Sequence, residues 1–233
     1  MCGRFNVDAH PLSQLLLEVV QLRHPGPDNH NAAPTETIVV LRTGAAGEPE
    51  LAPMRWWLTP YWAPEATTKY SMFNAKSETV EKSRAFREPF ERRRCAVPVS
   101  GFYEWARGEG RKLPYYIRPH DAPGLWLAGL WDRWRDRVND TVLESFAVLT
   151  TRAHPAIEHI HSRQPVLLGS PAVARWLDPG VPGDAVKPLL EPAVPVAVDL
   201  VPVSTYVNDA RHKARRCIEP VGEARTVAAD PAP

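Results

Sequence analysis

Proline limits this chain more than any other feature. It accounts for 25 of the 233 residues. Each proline fixes φ and lacks a backbone N–H, so helix interiors and central strand positions disfavour it. The prolines break most of the apolar runs, which predicts few long helices and many short strands and turns. PLSQLLLEVVQLR (11–23) carries apolar residues at helical spacing. TIVVLR (37–42) reads as a strand, and LAPMRWWLTPYWA (51–63) begins as one before prolines break it. The stretch 71–94 should start extended and continue as an amphipathic helix with Val80, Phe86 and Phe90 inward. RCAVPVSGFYEW (94–105) reads as a strand ending in a Gly-aromatic turn, and 112–118, 125–131 and 143–151 as successive antiparallel strands. HPAIEHI (154–160) and SPAVARWLD (170–178, with Ser170 as N-cap) read as short helices, separated by a strand at 163–168. Residues 197–207 read as extended. The sum is an α+β single domain over 1–220, built on curved, mainly antiparallel sheets with flanking helices. The small, polar, Pro/Ala-rich stretch 221–233 reads as a disordered tail.

A net charge of +1 excludes a polycation, so any nucleic-acid binding needs a local basic patch. Cys2, Cys95 and Cys217 are odd in number and far apart, which fits neither a disulfide framework nor a zinc ribbon. No apolar run is long enough to span a bilayer, and no secretory signal opens the chain. The expectation is a cytoplasmic protein. With no heptads, it is expected to be a monomer.

Four stretches hold residues able to do chemistry. In MCGRF, Cys2 follows the initiator methionine, and Met1 is normally clipped before a small residue. Cys2 would then carry an α-amine and a thiol, with ordinary pKa values of about 8 and about 8.5. In FNAKSE (73–78), the Asn74 amide can hold a substrate hydroxyl or an oxyanion, or simply cap a turn. In GFYEW (101–105), Glu104 is desolvated if the flanking rings pack around it, and faces water if the strand alternates. In HIHSRQP (159–165), His161 is a candidate acid–base group. His154, His159 and His161 match no metal-ligand spacing, so no metal is expected. Among basic residues, Arg4, Lys76, Arg84 and Arg163 are the better candidates for phosphate contacts. The rest of the run Arg84 to Arg94 reads as a solvated helix face. Trp56, Trp57, Tyr61, Trp62 and Trp105 could stack on unpaired bases, although such rings usually fill the core.

Taken together, MCGRF, APT, MRWxLxPxW, NAxxE, RCxxPxxGFYEW, PYxI, AGLW, FxxLT, IHxRxPV, VxxxVN and CIEP resemble the SOS-response-associated peptidase (SRAP) family from Cys2 to about Pro220. The resemblance implies an SRAP-like, open-barrel-like domain that covalently traps abasic sites in single-stranded DNA, with no cofactor. It makes Cys2 the nucleophile, with Asn74 orienting substrate, Glu104 as acid–base group and His161 acting on the sugar. Arg4, Arg163 and Arg84 resemble the family's phosphate contacts. Trp57, Lys76 and Gln164 depart from the residues usual at their places, and Lys76 keeps charge without bidentate geometry. The crosslink implied is a thiazolidine, in which amine and thiol of one residue close on one sugar carbon. Lyase and autopeptidase activities go with the same groups. The implied partners are abasic single-stranded DNA, placing the protein at the nucleoid when bound, and possible replication or repair proteins. Three rival readings stand beside it: an N-terminal-nucleophile amidohydrolase, a cysteine peptidase and a non-catalytic single-strand-binding module.

Overall fold

The computed structural model describes residues 2–66, 70–107 and 112–231; Met1 and Ala232–Pro233 lie outside them. Along the chain come β1 (Phe5–Val7), α1 (Ala9–Val20), β2 (Asn29–Ala32), β3 (Thr37–Thr43), β4 (Pro49–Trp56) and β5 (Asn74–Lys76). A 3₁₀ helix (Ser77–Lys82) and α2 (Arg87–Arg92) lead to β6 (Arg94–Val99), β7 (Gly101–Arg107), β8 (Lys112–Pro119), β9 (Leu125–Arg135) and β10 (Val142–Arg152). Then follow β11 (Arg163–Pro165), β12 (Leu167–Leu168), α3 (Ser170–Leu177), α4 (Gly183–Val186), β13 (Val198–Pro202) and β14 (Arg225–Val227).

Prolines mark several strand ends, while Pro53 and Pro114 lie inside β4 and β8. Pro49 opens β4, and Pro119, Pro165 and Pro202 close β8, β11 and β13. Pro98 lies inside β6, but β3 pairs with β6 only at Cys95 and Ala96, so the missing N–H breaks no ladder on that side.

Two sheets form the molecule. Strands β10, β4, β3, β6 and β9 are joined in that order, and β9 pairs back to β10, closing a five-strand barrel. All of its ladders are antiparallel except the short β4–β10 one. A second, antiparallel sheet runs β14-β13-β8-β7-β1-β2. The segment 94–105, read as a strand ending in a Gly-aromatic turn, is two strands, with the expected turn residues opening β7. The chain leaves the barrel after β6 and enters the second sheet at Gly101, where φ is +153°. A Cβ there would stand 2.5 Å from the Tyr116 ring and 2.6 Å from the Ile117 carbonyl, so the crossing requires glycine. The core between the sheets and under α1 and α3 is apolar, with Trp56, Trp126 and Trp176 essentially inaccessible.

Several sequence expectations change. The amphipathic helix of 71–94 is a 3₁₀ helix and the separate six-residue α2. The segment 154–160 forms turns instead of a helix, anchored by Ile157 and Glu158 N–H groups donating to the His154 carbonyl. Gly169, not Ser170, caps α3. Within 197–207, β13 ends at Pro202 and a 3₁₀ turn (Thr205–Asn208) follows. The stretch from 221 is no disordered tail where it is described: β14 pairs with β13 through Val198 with Val227 and Leu200 with Arg225, and Val227 is buried. Sheet pairing supplies the order that composition did not promise.

Arg94 is not on a solvated face. It is 3% exposed, and its guanidinium donates to the carbonyls of Phe90, Glu91, Trp176, Asp178 and Val181. One side chain thus ties the C-terminal ends of α2 and α3 to β6. Removing it strands buried acceptors, each at a cost of about 1–3 kcal/mol. Arg94→Leu is therefore expected to lower unfolding free energy by at least about 3 kcal/mol in urea titrations. A loss under about 1 kcal/mol would contradict this role.

Candidate active site

The site begins at β1. Phe5 is fully buried, its ring centroid 4.4 Å from that of Trp56, and it pairs with Phe102 of β7 and Ala32 of β2. Burial of a phenyl ring is worth about 1.5–3 kcal/mol, enough to hold a chain end in place. Behind β1, a buried polar chain keeps the strand in register: Asn6 Nδ2 donates to Tyr116 Oη at 2.8 Å, Tyr116 Oη donates to the Ser100 carbonyl, and His30 Nδ1 lies 2.9 Å from Asn6 Oδ1. Cys2, Gly3 and Arg4 are drawn inward as a result. Cys2 is fully buried, and the Tyr103 N–H donates to the Arg4 carbonyl.

Trp56 also places the second element. Its Nε1 donates to the Phe73 carbonyl at 2.9 Å, and its ring meets Phe73 edge-on. Asn74 follows at the start of β5, which pairs parallel to β10. Its Nδ2 donates to the Cys2 carbonyl at 2.8 Å. Glu104 comes from β7, where Phe102, Tyr103 and Glu104 are all buried. Alternation would have sent Glu104 to water, but this part of the strand is covered on both faces. His161 closes the turn before β11, with Nδ1 4.0 Å from Glu104 Oε2.

The four candidate catalytic residues are therefore together. Burial, with the Glu104 charge adding to it, pushes the Cys2 thiol far above its ordinary range. Burial raises Glu104 from 4.5 to about 7. Burial first, then nearby positive charge including Arg107 and Arg163, lowers the His161 imidazole. Near neutral pH the site holds a protonated thiol, a carboxyl shared between its two forms and a neutral imidazole. His161 Nδ1 lies 3.0 Å from the Arg163 backbone nitrogen and 3.2 Å from its carbonyl oxygen; with the proton on Nδ1 donating to that carbonyl, Nε2 is left as the accepting nitrogen. Among the described residues no cluster of His, Cys, Asp and Glu could hold a metal ion, and no helix is long and apolar enough to cross a membrane.

The candidate DNA contacts are placed differently. Arg4 is engaged inside the protein, donating to Asn31 Oδ1 and to the carbonyls of Val207 and Asn208, with Trp105 5.9 Å away. Trp105 Nε1 donates to Asn208 Oδ1. Gly3, Arg4, Trp105, Lys112 and Asn208 line a surface cleft of about 380 Å³. Arg163 forms a bidentate pair with Glu78, at 2.6 and 3.0 Å, and reaches Thr150. Arg84 lies over the Trp62 ring at 4.1 Å. Lys76 is exposed at the end of β5. Trp57 packs on Phe73.

Sequence reasoning missed Asn31. It is fully buried; its amide donates to the carbonyls of Val207, Asp209 and His212 while accepting from Arg4. The polar stretch DNHNAAPT (28–35) hides it, since a loop and a buried polar strand look alike there.

A carboxyl whose folded pKa exceeds its unfolded value binds its proton more tightly when folded. Its contribution to stability is complete below pH 4.5 and lost as pH rises toward 7. Glu104→Gln, uncharged throughout, is expected to raise Tm relative to the parent more at pH 8 than at pH 5 by calorimetry. An equal difference at both pH values would contradict the buried placement.

Comparison with known proteins follows this geometry. The family profile described as SOS response associated peptidase (SRAP) matches residues 1–210. The abasic site processing protein YoqW of Bacillus subtilis is 30% identical over 229 residues, covering 94% of this chain and 99% of that protein. The abasic site processing protein HMCES of Xenopus tropicalis is 33% identical over 196 residues, covering 74% of this chain and 58% of its own length. A crystal structure of a protein from Bacteroides thetaiotaomicron shares the fold, with a TM-score of 0.76 at 23% identity over 91% of this chain and 100% of that one.

Proposed function

The chain belongs to the SRAP family, and on that premise we propose that it captures abasic sites in single-stranded DNA by joining Cys2 to the lesion sugar. The names of its relatives support the lesion as substrate. One observation carries the chemistry: Asn74 holds the Cys2 carbonyl at 2.8 Å while Glu104 and His161 stand 4.0 Å apart at the same chain end.

With Met1 removed, Cys2 presents an amine and a thiol. The closed sugar opens when neutral His161 takes the anomeric hydroxyl proton and the ring C–O bond breaks, its oxygen gaining a proton. The Cys2 amine then attacks the aldehyde carbon; an N–C bond forms and the carbonyl electrons become a hydroxyl. Protonated Glu104 donates to that hydroxyl, water leaves and an imine remains, with the nitrogen's proton returned to the carboxylate. Last, the thiol adds to the imine carbon. The S–C bond forms, the thiol proton passes to nitrogen, and the five-membered ring closes within one residue. The net change is loss of one water, and no oxidant or cofactor enters. The imine also allows β-elimination, which is the lyase branch of the same proposal.

The buried thiol supports an amine-first order. A thiol held protonated is a poor first nucleophile, so the amine leads. The same burial argues against a peptidase that relies on a Cys2 thiolate.

The test is a denaturing gel with a single-stranded oligonucleotide bearing one abasic site. Wild type is expected to form a stable adduct and Cys2→Ala none. The adduct-forming rate should fall as pH rises through about 7, where Glu104 loses its proton, and Glu104→Gln should remove that fall. An equally stable Cys2→Ala adduct, or no adduct with release of glutamate from glutamine, would contradict the proposal.

A further inference from the structure

The loop that carries His161 is closed by a ring of four polar contacts, and one member comes from the extreme C-terminal segment. Three residues after β14, Asp230 turns back onto the barrel side of the molecule. Its N–H donates to the Val194 carbonyl at 2.9 Å, and its Oδ2 accepts the Val194 N–H at 2.7 Å. Its other oxygen, Oδ1, lies 3.3 Å from His154 Nε2. His154 Nδ1 accepts the Ala156 N–H, so the ring's hydrogen resides on Nε2, facing Asp230.

The circuit continues through Gln164. The His154 N–H donates to Gln164 Oε1 at 2.8 Å, and Gln164 Nε2 donates to the Ala193 carbonyl at 2.9 Å. Ala193 adjoins Val194, which returns the path to Asp230. Gln164 is fully buried, so both ends of its amide need these partners. The ring spans the base of the loop 154–162, whose ends are also joined by the Ala153 N–H donating to the Ser162 carbonyl. Ile157 and Ile160 anchor its middle in the core. His161 is the last side chain but one before this base closes.

Two members of the ring lie outside the family pattern. Gln164 is the place where the sequence departs from the residue usual in the resembling motif. Asp230 lies beyond residue 210, where the family match stops.

We propose that the C-terminal segment is a strap, and that Asp230, acting through His154 and Gln164, is a positioning residue that fixes the His161 imidazole against Glu104. This rests on the role given to His161 above. Asp230 touches no reacting atom in this scheme; it sets the rigidity of the loop that does. A displacement of about 1 Å at a reacting group costs as much as about 100-fold in rate, so a loosened loop should register in the chemical step.

The experiment uses the full chain and its variants Asp230→Ala, Asp230→Asn and Gln164→Met. The last cuts the ring on its opposite side with a side chain of similar volume. Single-turnover crosslinking to an abasic single-stranded oligonucleotide gives a rate at saturation and a half-saturating concentration. Nitrogen–proton correlation spectra of the histidine rings report His161 directly, without DNA. For Asp230→Ala and Gln164→Met the saturating rate is expected to fall at least about tenfold, with half-saturation unchanged within about twofold. The His161 ring signals should broaden or double in both variants. Asp230→Asn, which still accepts the Val194 N–H and offers a polar group to His154, should recover most of the rate. A lower Tm with unchanged rate and unchanged His161 signals would overturn the proposal, leaving a strap that only stabilises. A rate loss matched by lost DNA affinity would overturn it as well. If the wild type forms no adduct, the crosslinking reading fails, and the His161 spectra still decide whether the strap orders that ring.

Discussion

Burial of Phe5 is the contact on which the rest depends. A chain start would ordinarily sit in water, because its backbone groups are solvated and its conformational entropy is high. Here the Phe5 ring packs against Trp56, and β1 is paired on both sides, by β2 and β7. Three residues earlier, Cys2 has no choice but to lie in the seam between barrel and second sheet. Trp56 serves both halves of the site, since the same indole that stacks on Phe5 also holds the Phe73 carbonyl next to Asn74. One aromatic contact thereby aligns Cys2 with the amide that grips its carbonyl.

The placement has a chemical consequence. A buried seam favours neutral groups, and all three titratable side chains shift that way: thiol and carboxyl upward, imidazole downward. Such a site is poorly suited to a standing thiolate and well suited to proton transfer among neutral partners. Condensation of an amine with an aldehyde needs a proton donor and acceptor in turn, and Glu104, near 7, can be both. Positive charge at the site is mostly spent on structure: Arg163 pairs with Glu78, and Arg4 is committed to Asn31 and two carbonyls. These arginines brace the walls of the site, while Lys76, at the end of β5, and Arg107, at the end of β7, are exposed.

Much of this was legible in the residue order. Proline spacing gave short strands, and apolar spacing located α1, with Leu12, Leu15 and Leu16 buried as the pattern requires. The motifs identified the four residues that meet in the seam. What stayed hidden depended on long-range contacts. Nothing local to Glu104 says that β7 is covered on both faces there. Arg94 sits at the end of a charged run, and only the converging carbonyls of α2 and α3 distinguish it from its solvated neighbours. The C-terminal stretch has the composition of a loose tail, yet pairing with β13 and the clasp on Val194 order it. Gln164, in the sequence only a departure from the usual residue, is a buried amide bonded at both ends.

The central claim is that one sugar carbon ends bonded to both the nitrogen and the sulfur of Cys2. Carbon NMR of the adduct made with an abasic oligonucleotide labelled at the anomeric carbon reads that bonding directly. The account predicts a saturated carbon coupled to a ¹⁵N-labelled Cys2 nitrogen, in the range of carbons bearing both nitrogen and sulfur, and resistant to borohydride. An imine carbon that borohydride reduces, or a carbon with no coupling to the Cys2 nitrogen, would contradict it.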